Sequence, residues 1–287
     1  MAFVAGIADA DVFIGFVGSI LDAQRTVETP WGQLTYFDRP IGSADMGWIK
    51  ASKTVLKTIV RIPVQVGIDT PYSSAEEIGQ RSKLAEIARD LALSALLVES
   101  RPIPVVLGFS WAVVLLPWSA IPPAIWPDEQ PIDRPFRNLT PDEADQLAQW
   151  SRRIHSGLPP ALNIAAIRTI RALSGRPDTR DAVLDAFIAL ESLFGSSTEI
   201  TFRLAAAIAR LREPDQMSRQ ERFRSLKRAY NVRSRIIHGE PVEDRTAVNA
   251  LATAAFAAID SLRILLSSRG DLRALTSEQR SERLLLE

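Results

Sequence analysis

The chain has 287 residues, enough for one large domain or two of ordinary size, and 46% of them are apolar, so a substantial core is available. Its 34 basic and 34 acidic residues cancel, which excludes attraction of the whole molecule to a polyanion and leaves any nucleic-acid partner to a local patch. With no cysteine and only two histidines, His155 and His238, the chain has no disulfide framework, thiolate site or cysteine nucleophile, and neither a metal nor a cofactor is expected.

The first residues carry no positive leader and turn acidic at Asp9, so no signal peptide is expected. Residues 32–39 and 58–69 carry strand signals, with β-branched residues and flanking Gly or Pro. Residues 73–99 predict a helix, with Ser74 as N-cap and Glu77 three residues on. Residues 103–116 read as buried strand around Gly108. The uncharged stretch from Pro102 to Pro127 is broken by six prolines, so no membrane span is expected there. Five of the six tryptophans precede residue 130, which places the aromatic bulk in this half.

The proline-rich, aperiodic stretch 117–137 is the composition shift, and it predicts two domains, residues 1–130 and 138–287. Beyond it the pattern is helical. Thr140-Pro-Asp-Glu143 is a capping box with proline at the first helical position, opening a helix to about Ser156. Further helices are expected over 159–174, over 179–194 with Gly195 as stop, and over 198–212 with Pro214 as stop. Another should open at Ser218-Arg-Gln-Glu221 and end near Gly239. A long alanine-rich helix over 242–268 and a short one after Thr276 follow. The expected class is α+β, a mixed α/β N-terminal module followed by an all-helical bundle.

Helical-wheel arithmetic singles out two of these elements. In residues 181–194, Val183, Leu184, Phe187, Ile188, Leu190 and Phe194 form an apolar arc, and Glu191 falls inside it. A carboxylate there needs a cation or a strong donor. In residues 221–237, Phe223, Leu226, Tyr230 and Ile237 form the expected buried stripe, with Arg233 at its edge. Arg224, Arg228 and Arg235 share another face beside Lys227 and Asn231. Ten basic and three acidic residues between Arg203 and Arg235 make this a basic patch in a neutral protein. Arg233 and His238 stand five residues apart and diverge by about 140° on an ideal helix. They meet in one cleft only if the helix end distorts or two copies of the chain build the cleft. His155, at a helix end beside Gly157, reads as an ordinary helix-terminal residue rather than a second site.

The segments Ala-Leu-Glu-Ser-Leu-Phe (189–194), Thr-Glu-Ile-Thr-Phe-Arg-Leu-Ala (198–205) and Leu-Lys-Arg-Ala-Tyr-Asn-Val-Arg-Ser-Arg-Ile-Ile-His-Gly (226–239) together resemble the HEPN superfamily, most of all its Apea-like branch, over residues 178–268. The resemblance implies a helical domain that dimerises with its Arg-x4-His motifs facing each other. It also implies a metal-independent endoribonuclease of the cytoplasm, used in phage defence, abortive infection or as a toxin. On it, Arg233 and His238 match the catalytic pair, Glu191 an acidic position that orients the site, and Ser234 the small polar position after the arginine. Tyr230 would support them, and Arg224, Lys227, Arg228 and Arg235 would track the RNA. Glu240 stands where members controlled by a nucleotidyltransferase carry a tyrosine, so that control is not expected. The resemblance does not extend to the N-terminal module, which would receive a trigger or regulator. The alternative is a non-catalytic HEPN-like module for dimerisation or for nucleotide or RNA binding.

Overall fold

The structure is a computed structural model and describes residues 4–37, 53–66, 74–115, 124–127, 131, 137–196 and 198–287. Most of the proline-rich stretch 117–137 lies outside these residues. The chain divides into two compact units, Met1–Ser156 and Gly157–Glu287.

The first unit is a six-stranded sheet of order β2-β3-β4-β1-β5-β6, formed by β1 (Val4–Gly18), β2 (Thr26–Thr29), β3 (Gly32–Tyr36), β4 (Thr54–Val66), β5 (Leu107–Leu115) and β6 (Ala124–Ile125). Every strand pair is antiparallel, so the class is α+β and the mixed α/β expectation for this half resolves as a wholly antiparallel sheet. The central strand β1 runs from Val4 against Val66 to Phe16 against Thr54, and the strand reading of the sequence did not include it. Its alanines, glycines and aspartates carry weak β-propensity. Its period shows only in Ala10, Val12, Ile14 and Phe16, all at most 1% exposed. The hairpin strand β2 was likewise unexpected.

Helices α1 (Ser74–Leu96) and α2 (Pro141–His155) supply apolar partners for one sheet face. Leu84, Ala88, Leu91 and Ala95 of α1 and Ala144 and Leu147 of α2 join the core with Val12, Ile14, Leu34 and Leu56. On the other face Trp111 packs with Val55 and Val113. The Thr140 capping box forms as read, with both Thr140 N–H to Glu143 and Glu143 N–H to Thr140 in place. Arg137 Nη2 lies 2.5 Å from Glu143 Oε1, and this ion pair holds the Glu143 carboxyl down to about 2. The helix that composition assigns to the second domain therefore belongs to the first unit, and the division falls after it. The N-cap expectation at Ser74 lies outside the described side chains.

Every element among the described residues of the second unit is helical. A 3-10 turn Pro160–Leu162, α3 (Asn163–Ile170) and a π-helical turn Arg171–Gly175 replace the single helix expected over 159–174. Then come α4 (Thr179–Phe194), α5 (Ile200–Arg212), α6 (Gln216–Ile237), α7 (Asp244–Ser267), α8 (Gly270–Arg273) and α9 (Ser277–Leu286). The capping box expected at Ser218 is corrected. Asp215 is the N-cap of α6, its carboxylate accepting from Ser218 N–H and Ser218 Oγ, and the helix starts two residues earlier than Ser218. Aspartate caps as well as serine does, and it stands next to the Pro214 break.

Helix α4 runs through the middle of this unit, packed against α3, α5, α6, α7 and α9. Its Asp185 is 2% exposed and clamped by Arg168 Nη1 at 2.5 Å and Arg176 Nε at 2.6 Å, which ties α3 and the π-helical turn to α4. Among the described residues α7 alone is long and apolar enough to cross a bilayer, and 67% of its apolar window is buried in the structure. That is the burial of a core helix.

Candidate functional site

The site forms where α6 crosses the C-terminal half of α4. Glu191, placed in the apolar arc of α4, meets the two groups it requires. Arg233 Nη2 lies 3.0 Å from Glu191 Oε1, and the Tyr230 hydroxyl donates to the same oxygen at 3.1 Å. The guanidinium also stands over the Tyr230 ring, 5.2 Å from its centroid. That ring is held edge-on by Phe187 at 5.3 Å, so an aromatic pair from α4 and α6 forms the floor of the cluster. Burial, and then the charge of Glu191, push the Tyr230 phenol above its ordinary range, so it stays a donor at neutral pH. Arg233 Nε is buried and has no hydrogen-bond partner among the described residues, an unmet donor of a kind that interiors seldom keep.

The end of α4 that carries Glu191 is fixed by its surroundings. Gly195 N–H donates to the Glu191 carbonyl at 2.7 Å, and a Cβ at Gly195 would lie 2.4 Å from that same oxygen. Only glycine allows this approach. The last carbonyls of the helix have no partner within it. Arg280 of α9 donates to the Leu193 carbonyl at 2.5 Å, and Ser281 Oγ donates to the Phe194 carbonyl at 2.5 Å. Arg280 is fully buried and has no carboxylate partner among the described residues, held instead by three carbonyls, those of Leu193, Leu272 and Leu275. Burial pushes its pKa down to about 10, which leaves it a cation beside the negative end of the α4 dipole. Sequence reading missed Arg280, and nothing in Ser-Glu-Gln-Arg-Ser distinguishes it from an exposed arginine.

His238 is not in the cluster. It is the C-cap of α6, with its N–H on the Ser234 carbonyl at 3.1 Å, and its side chain is exposed. Gly239 follows with φ of +72°, the left-handed residue that lets the chain leave the helix. The helix stays regular up to this cap, so the divergence of about 140° between Arg233 and His238 persists. Ser234 is half-buried and lies on the outward side with His238.

The basic residues divide. Arg224, Lys227 and Arg228 are exposed. Arg235 is engaged, with Nε on Glu240 Oε2 at 3.2 Å and Nη2 on the Pro241 carbonyl at 2.5 Å, and this pins the loop after the motif. The stripe expected on α6 is corrected at its ends. Leu226, Ala229 and Tyr230 are buried, whereas Ile237 is 50% exposed and Phe223 only half-buried. His155 ends α2, its ring 5.5 Å from that of Trp31 and edge-on to it. Among the described residues no group of three or more His, Cys, Asp or Glu side chains is placed to hold a metal ion.

No family model matches this chain, and no curated protein and no solved structure matches it.

Proposed function

We propose that the protein is a homodimeric endoribonuclease that cleaves RNA by transesterification with its own side chains, in the manner implied by the resemblance to HEPN domains. The observation that carries this reading is the pairing of a positioned arginine with a free histidine on one helix. Arg233 is oriented by Glu191 and Tyr230, while His238 stands exposed at the helix end. Arginine binds phosphate oxygens, and histidine moves protons near neutral pH.

In the proposed reaction His238 takes the proton from a ribose 2′-hydroxyl as the 2′-oxygen attacks phosphorus. Arg233 binds a non-bridging oxygen and stabilises the charge that builds there. The bond to the 5′-oxygen breaks, and that oxygen takes a proton from the imidazolium of a second copy. The products are a 2′,3′-cyclic phosphate and a 5′-hydroxyl. Two copies are required because one helix directs Arg233 and His238 apart. The half-exposed Ile237 beside His238 offers apolar surface for such an approach. The setting would be the cytoplasm, in phage defence, abortive infection or a toxin role, with the sheet-containing unit receiving a trigger.

Purified protein is expected to cut single-stranded RNA in EDTA. His238→Ala and Arg233→Ala should each lower the rate by at least about 100-fold, with dimer and helical content retained. Cutting that survives both changes removes the assignment.

A second reading has its own support. Glu191, Tyr230 and Arg233 largely satisfy one another, as a structural polar cluster would, and the chain would then be a non-catalytic dimerisation or nucleotide- or RNA-binding module. On that reading the parent protein cuts nothing, and the Arg233 variant changes melting temperature alone.

A further inference from the structure

Phe202 of α5 is 52% exposed, an uncommon position for a phenylalanine on a helix that has an apolar side to bury. It is not isolated. Its ring stands edge-on to that of Phe223 on α6, with centroids 5.4 Å apart, and Lys227 Nζ lies 5.5 Å from the Phe223 centroid. An exposed aromatic face with a cation beside it is what sequence-tolerant binding of single-stranded nucleic acid uses: bases stack on the ring and cations follow the backbone.

The face continues toward the motif. Taking Phe223 as zero on the α6 wheel, Ser234, Lys227, His238 and Asn231 fall at about 20°, 40°, 60° and 80°. These residues form one strip on the outward side, and none of them is buried. Arg224 and Arg228 flank it. Of the nearby acids, Glu221 points about 120° away from Lys227, and Glu240 is occupied by Arg235. The strip therefore has a net positive field. From Phe223 to His238 it rises about 22 Å, which holds at most about six nucleotides at the ~3.4 Å spacing of a stacked strand.

We propose that this strip is a track for single-stranded RNA, with a base stacked on Phe202 at one end and the backbone running along Lys227 and Asn231 to His238 at the other. The proposal rests on the nuclease reading only for which bond is presented to His238. Binding is measured apart from cutting.

The test uses the full chain carrying His238→Ala, in EDTA, with a fluorescein-labelled 12-nucleotide RNA of mixed sequence and the duplex of the same sequence. Phe202→Leu keeps the apolar bulk and removes the ring. It should weaken single-strand binding roughly tenfold while leaving duplex binding and melting temperature unchanged. Phe202→Tyr should bind as the parent does. Lys227→Ala should weaken both RNAs and lower the slope of affinity against salt by about one. If Phe202→Leu binds the single strand as tightly as the parent, or if the parent prefers the duplex, the track is wrong. If Phe202→Leu alters sedimentation and not RNA affinity, the ring is a protein contact and the track is again wrong. Phe202-dependent binding by a protein that, with His238 intact, cuts nothing would retain the track and remove the nuclease reading. Cutting without Phe202-dependent binding would do the reverse.

Discussion

Glu191 stands in an apolar arc, with its side chain 20% exposed, and a carboxylate so placed is tolerated only because Arg233 and Tyr230 meet it. Removing one member of such a group costs more than removing two that compensate each other. Glu191→Ala is expected to lower stability by about 2 kcal/mol, through the guanidinium left half-buried without its anion. The Glu191→Gln, Arg233→Met double variant should lose less than the sum of its two single variants, a coupling that urea unfolding reads as non-additive free energies. The wheel made this carboxylate conspicuous because apolar periodicity and a formal charge contradict each other at one position. It also placed Arg233 near the stripe edge. The same arithmetic had no access to Asp185, which is buried against Arg168 and Arg176, because those arginines come from another element.

The helices differ in how well their ends could be read. Thr140 and Thr276 each carry a capping box, formed within a few residues of sequence and present in the structure. Asp215 takes the place that Ser218 was expected to hold, since two capping residues stand near one Pro break and local pattern ranks them equally. Among the described residues the Leu193 and Phe194 carbonyls at the end of α4 have no local cap and rely on Arg280 and Ser281, more than eighty residues away in the chain. That dependence gives a sharp expectation. Arg280→Met takes a side-chain donor from the carbonyls of Leu193, Leu272 and Leu275, of which, among the described residues, that of Leu272 alone keeps another, the Leu275 N–H, and it should destabilise by about 3 kcal/mol in urea unfolding. Arg280→Lys should recover only part of this, because one ammonium cannot reproduce the planar fork that reaches all three.

The two units are built on different physics. The first closes a six-stranded antiparallel sheet with α1 and α2, and the second wraps helices around α4. Composition put the border at the proline-rich stretch, before α2, because proline and lost periodicity mark chain breaks. The contacts put it after α2, because Ala144 and Leu147 of that helix are buried in the core of the first unit. A fragment of residues 157–287 is therefore expected to melt as one cooperative helical transition by circular dichroism. A fragment of 138–287 carries α2 with its apolar side uncovered, and it should self-associate in sedimentation without a higher melting temperature. Equal solubility of the two fragments, with a higher melting temperature for the longer one, would return α2 to the second unit.

Local information sufficed for the helical half, the α+β class, the exposed basic side chains of α6 and the need of Glu191 for a cation, since each depends on periodicity or charge within about twenty residues. The strand β1, the capping of α4 by a buried arginine, the side of the border on which α2 lies and the aromatic pair of Phe202 and Phe223 depend on which distant residues come into contact. A strand rich in alanine and glycine, an arginine or a phenylalanine has one appearance in sequence whether its partner is water or protein. Burial decides which, and burial is a property of the folded chain.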